Sequence, residues 1–310
     1  MPAEPARGAF MGVPIERRTF LASALLGLPA ALLPLPAAAP LAPSRLLTRA
    51  DQEQFLRNAE ITKIQGVSEG ITNTRRATLT DGVITHEAQI QTIDQRKTSF
   101  TDARGTYLHF ADSYKHNIAA YELDKIMDIG MIPPSVERVV RGQTSSMTWW
   151  VDDAQMTEKQ RYQKKITPPD QAAWNRQIYC VRTFDELIYN FDRNLGNLVI
   201  TRQWRIWMID HTRSFLPYQK LKDAKRLVQC DRHLLAAMRG LTLEKVQEAL
   251  SPYVDNLRIQ GLMARRDAIV AHFEKQIEQR GEEQVLYDGL PFETDVEVPA
   301  GNAAAVGSAA

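Results

Sequence analysis

Asp192, Asn197 and Asp210 are the residues of this chain whose types and spacing best suit chemistry. The first two bracket a polar loop, Asp192-Arg193-Asn194-Leu195-Gly196-Asn197, and the third closes an apolar run, Ile206-Trp207-Met208-Ile209-Asp210. Phosphoryl transfer needs one carboxylate to position an attacking hydroxyl, and oxygen ligands to hold divalent metals on nucleotide phosphates. Asp192 suits the first role, as base or hydroxyl-orienting group. Asn197 and Asp210 suit the second, with Mg²⁺ or Mn²⁺ as the metal. Arg193 would steady the loop or the transferred phosphate. A carboxylate at the end of an Ile/Trp/Met strand is costly unless it meets a cation, which favours a working role for Asp210. The plainer alternative is an Asp/Asn/Gly turn that caps a helix and starts a strand.

The elements that must position these groups are legible on either side. A helix expected over Gln171 to Tyr189 carries Trp174, Ile178, Val181, Leu187 and Ile188 on its core face and delivers the chain to Asp192. An apolar hairpin then runs through Leu198-Val199-Ile200, turns, and returns to Asp210. The spacing of five from Asp192 to Asn197, with a further acid one hairpin later, is the order of the catalytic and metal-binding residues of protein kinases. Asp-Arg-Asn-Leu-Gly-Asn followed by Ile-Asp-His-Thr-Arg-Ser-Phe resembles the corresponding segments of the atypical kinases that include phosphatidylinositol 3- and 4-kinases, HipA-type bacterial kinases and secretory-pathway kinases. The resemblance is sharp over residues 184–215 and keeps the same order, less sharply, from about Ile61. It implies an α+β, bilobal, protein-kinase-like (phosphatidylinositol-kinase-like) fold, with a β-rich N-lobe over 51–152 and a helical C-lobe with the catalytic loop over 153–290. It also implies ATP and Mg²⁺ or Mn²⁺ as cofactors, and a hydroxyl-bearing protein or small molecule as acceptor.

Five strands are expected in the first lobe: Ile61–Val67, Arg75–Thr80, Ile84–Ile93, Val136–Val140 and Ser146–Asp152, with Asp81-Gly82 a hairpin turn. The resemblance lays the first turn, with Gly70, over the nucleotide phosphates, although Gly66 and Gly70 would serve any hairpin equally well. It departs from the family at two positions. Gln91 stands where the phosphate-binding lysine is expected, and Asn117, on the helix over 114–127, where its glutamate partner is expected. Losing both is self-consistent, because a lone buried Lys or Glu would be costly whereas Gln and Asn can pair neutrally. Lys115 or Lys97 could supply a relocated cation, the plainer reading being two solvated lysines. These swaps open a second reading, a catalytically impaired pseudokinase acting as a nucleotide- or partner-binding module. Trp149 and Trp150 read as sheet packing rather than a base-stacking platform, and His211 as a turn histidine rather than a base.

Composition narrows the rest. With 38 basic and 37 acidic residues the net charge is +1, so no bulk attraction to nucleic acid or anionic membrane is expected. Cys180 and Cys230 are too few for a disulfide framework, leaving one bridge or two buried thiols. His86-Glu87 has Ile90 where a zincin needs its second histidine, and no Gly-x-Ser-x-Gly elbow occurs. Residues 1–42 read as a twin-arginine export leader: Arg17-Arg18-Thr19-Phe20-Leu21, an apolar run to Leu35, then Ala37-Ala38-Ala39, with Pro40 shifting cleavage toward Ala42. The expected location is periplasmic or otherwise extracytoplasmic, with the membrane touched only through an uncleaved leader. Residues 291–310, Ala/Gly/Ser-rich from Pro299, are expected to be a disordered tail.

Overall fold

The computed structural model describes residues 44–66, 74–103 and 105–300. The leader, the turn containing Gly70 and the last ten residues lie outside the described residues.

The chain enters through β1 (Ser44–Leu47) and α1 (Arg49–Asn58). Thr48 and Asp51 close a reciprocal capping box at the start of α1, satisfying two otherwise orphaned backbone donors. Then come β2 (Glu60–Gly66), β3 (Arg75–Thr80), β4 (Thr85–Gln91), β5 (Asp94–Asp102), β6 (Gly105–Ser113), α2 (Lys115–Ile126), β7 (Ser135–Val140) and β8 (Gln143–Trp149). β2, β3, β4, β8 and β7, in that order, make a five-stranded sheet that is antiparallel throughout. The Asp81-Gly82 turn is present. Asp81 Oδ1 accepts from the backbone of Val83 and Ile84, and Gly82 supplies the positive φ of 86°. Alternation on the strands sends Ala77, Leu79, Ala88, Ile90, Val136 and Met147 to one face, which Phe55 and Leu56 of α1 cover.

The second lobe opens with the polar stretch 153–169. That stretch contains β9 (Ala154–Thr157) and α3 (Glu158–Gln163) rather than an open loop. β9 has little apolar pattern of its own; it exists because it pairs with β10 (Leu198–Thr201), far along the chain, which pairs in turn with β11 (Ile206–Met208). α4 (Gln171–Leu187) starts on Asp170, whose side chain accepts from Ala172 and Ala173. β12 (Cys230–Asp231), α5 (Arg232–Gly240), α6 (Leu243–Leu250), α7 (Asn256–Arg280), α8 (Glu282–Val285), β13 (Leu286–Tyr287) and β14 (Val296–Pro299) complete the order.

Several expectations are corrected here. β5 and β6 form a hairpin in a segment whose polar sequence predicts no element. The first lobe starts at β1, because β14 returns from the far end of the chain to pair with it and buries Val298, so residues 291–299 are structured rather than a tail. α2 belongs to both lobes. Ala119, Tyr121 and Leu123 join the core of the second lobe, yet the helix also packs on β7 and β8. No disulfide forms: both cysteines are free and buried, and burial pushes the Cys180 thiol up to about 12.

Asp124, fully buried on α2, fastens that helix to the crossing into β7. Its carboxylate accepts from the backbone of Gly130, Met131 and Ile132 and from Arg49 of α1. Burial outweighs these four donors and raises its pKa from 3.8 to about 6. The folded state therefore binds this proton more tightly than the unfolded chain, and the resulting stability is lost as pH rises from about 4 through about 6. Asp124→Asn should flatten the stability–pH curve in that window while lowering stability at pH 7 by about 3 kcal/mol. Urea midpoints across pH are the measurement, and an unchanged slope would refute the assignment.

Candidate active site

α4 ends in two acids, Asp185 and Glu186, that are buried on an otherwise apolar stripe. Each is spent on local structure. Glu186 accepts from the backbone of Lys222 and Asp223, docking the lysine-rich loop. Asp185 accepts from Asn190 Nδ2 and from Arg193 Nε and Nη2. Tyr189, at φ 50°, turns the chain out of the helix, and Asn190 Oδ1 takes the backbone N–H of Asp192 at 3.0 Å.

Arg193 holds the loop together. Nε and Nη2 grip Asp185, Nη1 donates to the carbonyls of Asn197 (3.0 Å) and Ile209 (2.8 Å), and Nη2 also donates to His211 Nε2 (2.9 Å). A guanidinium has five N–H groups, and these contacts use all of them. Of the two roles considered for Arg193, steadying the loop is the one this geometry performs; no donor remains for a phosphate. Asn194 accepts from Gly196 N at 2.8 Å to start the short 3₁₀ turn over Leu195–Asn197. A Cβ at Gly196 would stand 3.0 Å from that same Asn194 oxygen, which is why the motif wants glycine there.

The β10–β11 register pairs Leu198 with Met208, and Ile209 N donates to Asn197 O at 3.1 Å. Asn197 is thereby brought beside the residue preceding Asp210. Asp210 itself has φ 54° and accepts from Thr212 Oγ1 at 3.1 Å. Its carboxyl is raised chiefly by burial and further by the charge of Asp112, with hydrogen bonds from Thr212 and Gln91 opposing. His211 is buried and, with Arg193 beside it, held neutral well below its ordinary value, so it acts as an acceptor inside the loop and not as a base in the cleft.

Gln91 and Asn117 meet as a neutral pair, Asn117 Nδ2 donating to Gln91 Oε1. Asn117 Oδ1 accepts from His211 N at 2.7 Å, so the pair is fastened to the backbone just after Asp210. His116, one residue earlier on α2 and kept neutral by burial at a pKa of about 3, bonds Thr212 O through Nδ1 at 2.9 Å. Neither lysine considered as a relocated cation reaches this point: Lys115 faces Asp94 at 3.9 Å, and Lys97 lies over the rings of Phe100 and Phe110.

The cation that is present is Arg213. Its Nε donates to Asp112 Oδ2 at 2.7 Å and its Nη1 to Asp192 Oδ2 at 3.1 Å. Burial pulls its pKa down, but the bond to and charge of Asp112, together with the charges of Asp192 and Asp210, more than offset this and keep it protonated. Asp112 and Arg213 are the site residues that sequence reasoning missed. Arg213 lies in the quoted motif, but nothing in the pattern assigns it a role. Asp112 ends the unforeseen β6, and only the tertiary fold brings it here.

That hairpin also packs on Phe191, at the start of the Asp192–Asn197 loop. Tyr107 stacks on Phe191 at 4.4 Å, Phe110 meets Phe191 edge-on at 5.9 Å, and Phe100 stacks on Phe110. Trp149, at the end of β8, is sheet packing as expected. It is buried, stacked on His86 at 3.7 Å and edge-on to Phe55, with its N–H on Asp152.

A β-rich lobe and a helical lobe, with a catalytic-type loop and an acid-ended hairpin in the second, define the bilobal protein-kinase-like fold of the atypical kinases. No protein-family model and no curated protein sequence matches the chain. Among solved structures it is similar to hydra Fam20 with sugar, at 14% identity and TM-score 0.57, covering 76% of this chain and 90% of that one. It is equally similar to the Golgi casein kinase with Mn/ADP bound, at 13% identity and TM-score 0.57, covering 78% and 80%. A second crystal structure of that kinase gives 13% and 0.56. At such identities the likeness is one of fold.

The Arg193 network makes a prediction that needs no substrate. Arg193→Lys keeps the charge but cannot hold Asp185, two carbonyls and His211 at once, and should cost about 3 kcal/mol. It should also raise hydrogen exchange selectively at Asn197, Ile209 and His211. Exchange unchanged at those amides would show that the loop is held by something else.

Proposed function

We propose that this chain is an ATP-dependent phosphotransferase of the atypical kinase type acting on a hydroxyl acceptor. The observation that carries the reading is Arg213, on which Asp112, Asp192 and Asp210 all act, so that acids from the catalytic-type loop and from the hairpin end meet at one guanidinium. Asp192, held at the mouth of the loop by Asn190 and paired with Arg213, orients the acceptor hydroxyl and takes its proton as the phosphoryl group transfers.

Asn197 and Asp210 would hold Mg²⁺ or Mn²⁺, which when bound neutralises charge on the nucleotide phosphates. Their donors are hard oxygens, and Asp210 is half-buried beside Asp112, whose charge a cation would offset. Among the described residues no three His, Cys, Asp or Glu side chains are grouped to hold a metal. The Mn/ADP of the Golgi casein kinase supports the same cofactor pair here. The twin-arginine reading of residues 1–42 and the likeness in fold to the Golgi casein kinase support an exported enzyme, and among the described residues no helix is long and apolar enough to cross a membrane.

The neutral Gln91–Asn117 pair favours the second reading, a pseudokinase that binds nucleotide without transferring phosphate. Incubation with γ-labelled ATP and Mn²⁺ separates the two. The parent should label itself or an added hydroxyl acceptor, and Asp192→Ala should lower the rate by about a hundredfold or more. Label transfer that is equal in parent and variant would remove Asp192 from the chemistry; nucleotide binding with no transfer would select the pseudokinase. Asp210→Ala should abolish metal-dependent nucleotide binding while leaving the thermal unfolding profile nearly intact.

Gln91→Lys alone should not tighten nucleotide binding, because the new ammonium falls beside Asp210 and competes with the metal for it. Adding Asn117→Glu gives the lysine its own carboxylate and should tighten binding. Calorimetric titration with ADP and Mn²⁺ decides; equal gain by the single variant would show that Asn117 is the wrong partner.

A further inference from the structure

Asp112 anchors Arg213 with only half of its carboxylate. The residue is 2% exposed and its Oδ2 takes the Arg213 Nε–H, but its Oδ1 is buried without a hydrogen-bond partner among the described residues. A buried carboxylate oxygen without a donor is costly, and a proton or a cation is what relieves it. Arg213 Nε is spent on Oδ2 and its Nη1 on Asp192, and neither donates to Oδ1.

The backbone ties Asp112 to the metal-binding segment. The next residue, Ser113, donates its N–H to Thr212 O at 3.0 Å, two residues past Asp210, and His116 bonds the same carbonyl. The charge of Asp112 is felt at Asp210. Two acids so placed repel each other, and a divalent cation shared between them turns that repulsion into attraction. Gln91 brings no positive charge that would oppose such a cation.

We propose that Asp112, through Oδ1, is a second carboxylate ligand, with Asp210, for the divalent cation of the nucleotide site. This rests on the phosphotransferase reading and sharpens it. With two carboxylates and no lysine nearby, the protein takes up Mn²⁺ before any nucleotide arrives, and the bound metal then supplies the positive charge that a lysine would otherwise present to the phosphates.

The test is a Mn²⁺ titration of the full chain followed by electron paramagnetic resonance, without and with ADP. The parent should bind Mn²⁺ alone. Asp112→Asn should weaken that binding about tenfold or more, since even partners outside the coordination sphere are worth about that much. Asp210→Asn should abolish it, and Arg213→Gln should leave it unchanged or tighter. Asp112→Asn within about twofold of the parent, with Asp210→Asn still inactive in binding, would overturn the assignment and leave the phosphotransferase reading standing. Equal losses in Asp112→Asn and Arg213→Gln would overturn it too, because Asp112 would then act through the arginine. A parent that takes up no Mn²⁺ even with ADP sinks the underlying reading and this inference together. Should Asp112→Asn fail to fold, anomalous scattering from Mn²⁺-soaked crystals of the parent decides directly. Manganese bonded to Asp112 Oδ1 supports the assignment, and manganese held by Asp210 without Asp112 overturns it.

Discussion

The site depends on one half-buried guanidinium. Arg193 ties the end of α4, the catalytic-type loop, the returning hairpin and the turn after Asp210 into one body, because its planar fork meets a carboxylate, two carbonyls and an imidazole together. The β10–β11 pairing and the Ile209 N–Asn197 O bond already join the two segments, and Arg193 adds the end of α4 and the turn after Asp210 to that pair. Its charge is balanced by Asp185, and burial, with Arg193 alongside, keeps His211 neutral as an acceptor in the clamp.

A second arginine supports the first from behind. Arg265 of α7, fully buried, donates to the carbonyls of Leu187, Leu216 and Tyr218. It joins the end of α4 to the segment leaving the site. Burial lowers its pKa to about 9, which still leaves it charged at neutral pH and able to hold three acceptors at once. Around the active loop, cations thus serve as multi-point connectors of backbone rather than as partners of single acids.

The field in the cleft is set differently from that of a lysine-bearing kinase. Gln91 and Asn117 are neutral and bonded to each other, and the nearby positive charge comes from Arg213, three residues beyond Asp210. Arg213 spans Asp112 and Asp192, so it links the β5–β6 hairpin to the proposed base, while Tyr107 and Phe110 press on Phe191 beside it. The hairpin acts as a brace, fixing the loop through aromatic contacts on one side and an ion pair on the other. α2, whose apolar residues join the second core while the helix packs on β7 and β8, relates the two lobes through His116 and Asn117, each bonded to the segment that follows Asp210.

The sequence by itself determined what local chemistry can specify. The five strands of the first lobe were legible because one buried face imposes alternation, and Asp81-Gly82 because its turn demands those residue types. α2 and α4 were legible from their apolar stripes, as was the order of Asp192, Asn197 and Asp210. The Gln91–Asn117 pairing could be inferred because an unpaired ion there would be too costly. What only the tertiary structure decided was every feature whose stabilising partner is distant. β9 has one buried apolar residue and needs β10, β14 needs β1, and the polar β5–β6 hairpin gains its aromatic support from Phe191, far along the chain. The same holds for Asp112, Asp185 and Arg213. A charged residue in a sequence reads as solvated surface by default, and only the placement of its partner shows whether it has been drawn inside to hold a loop or to face a cation.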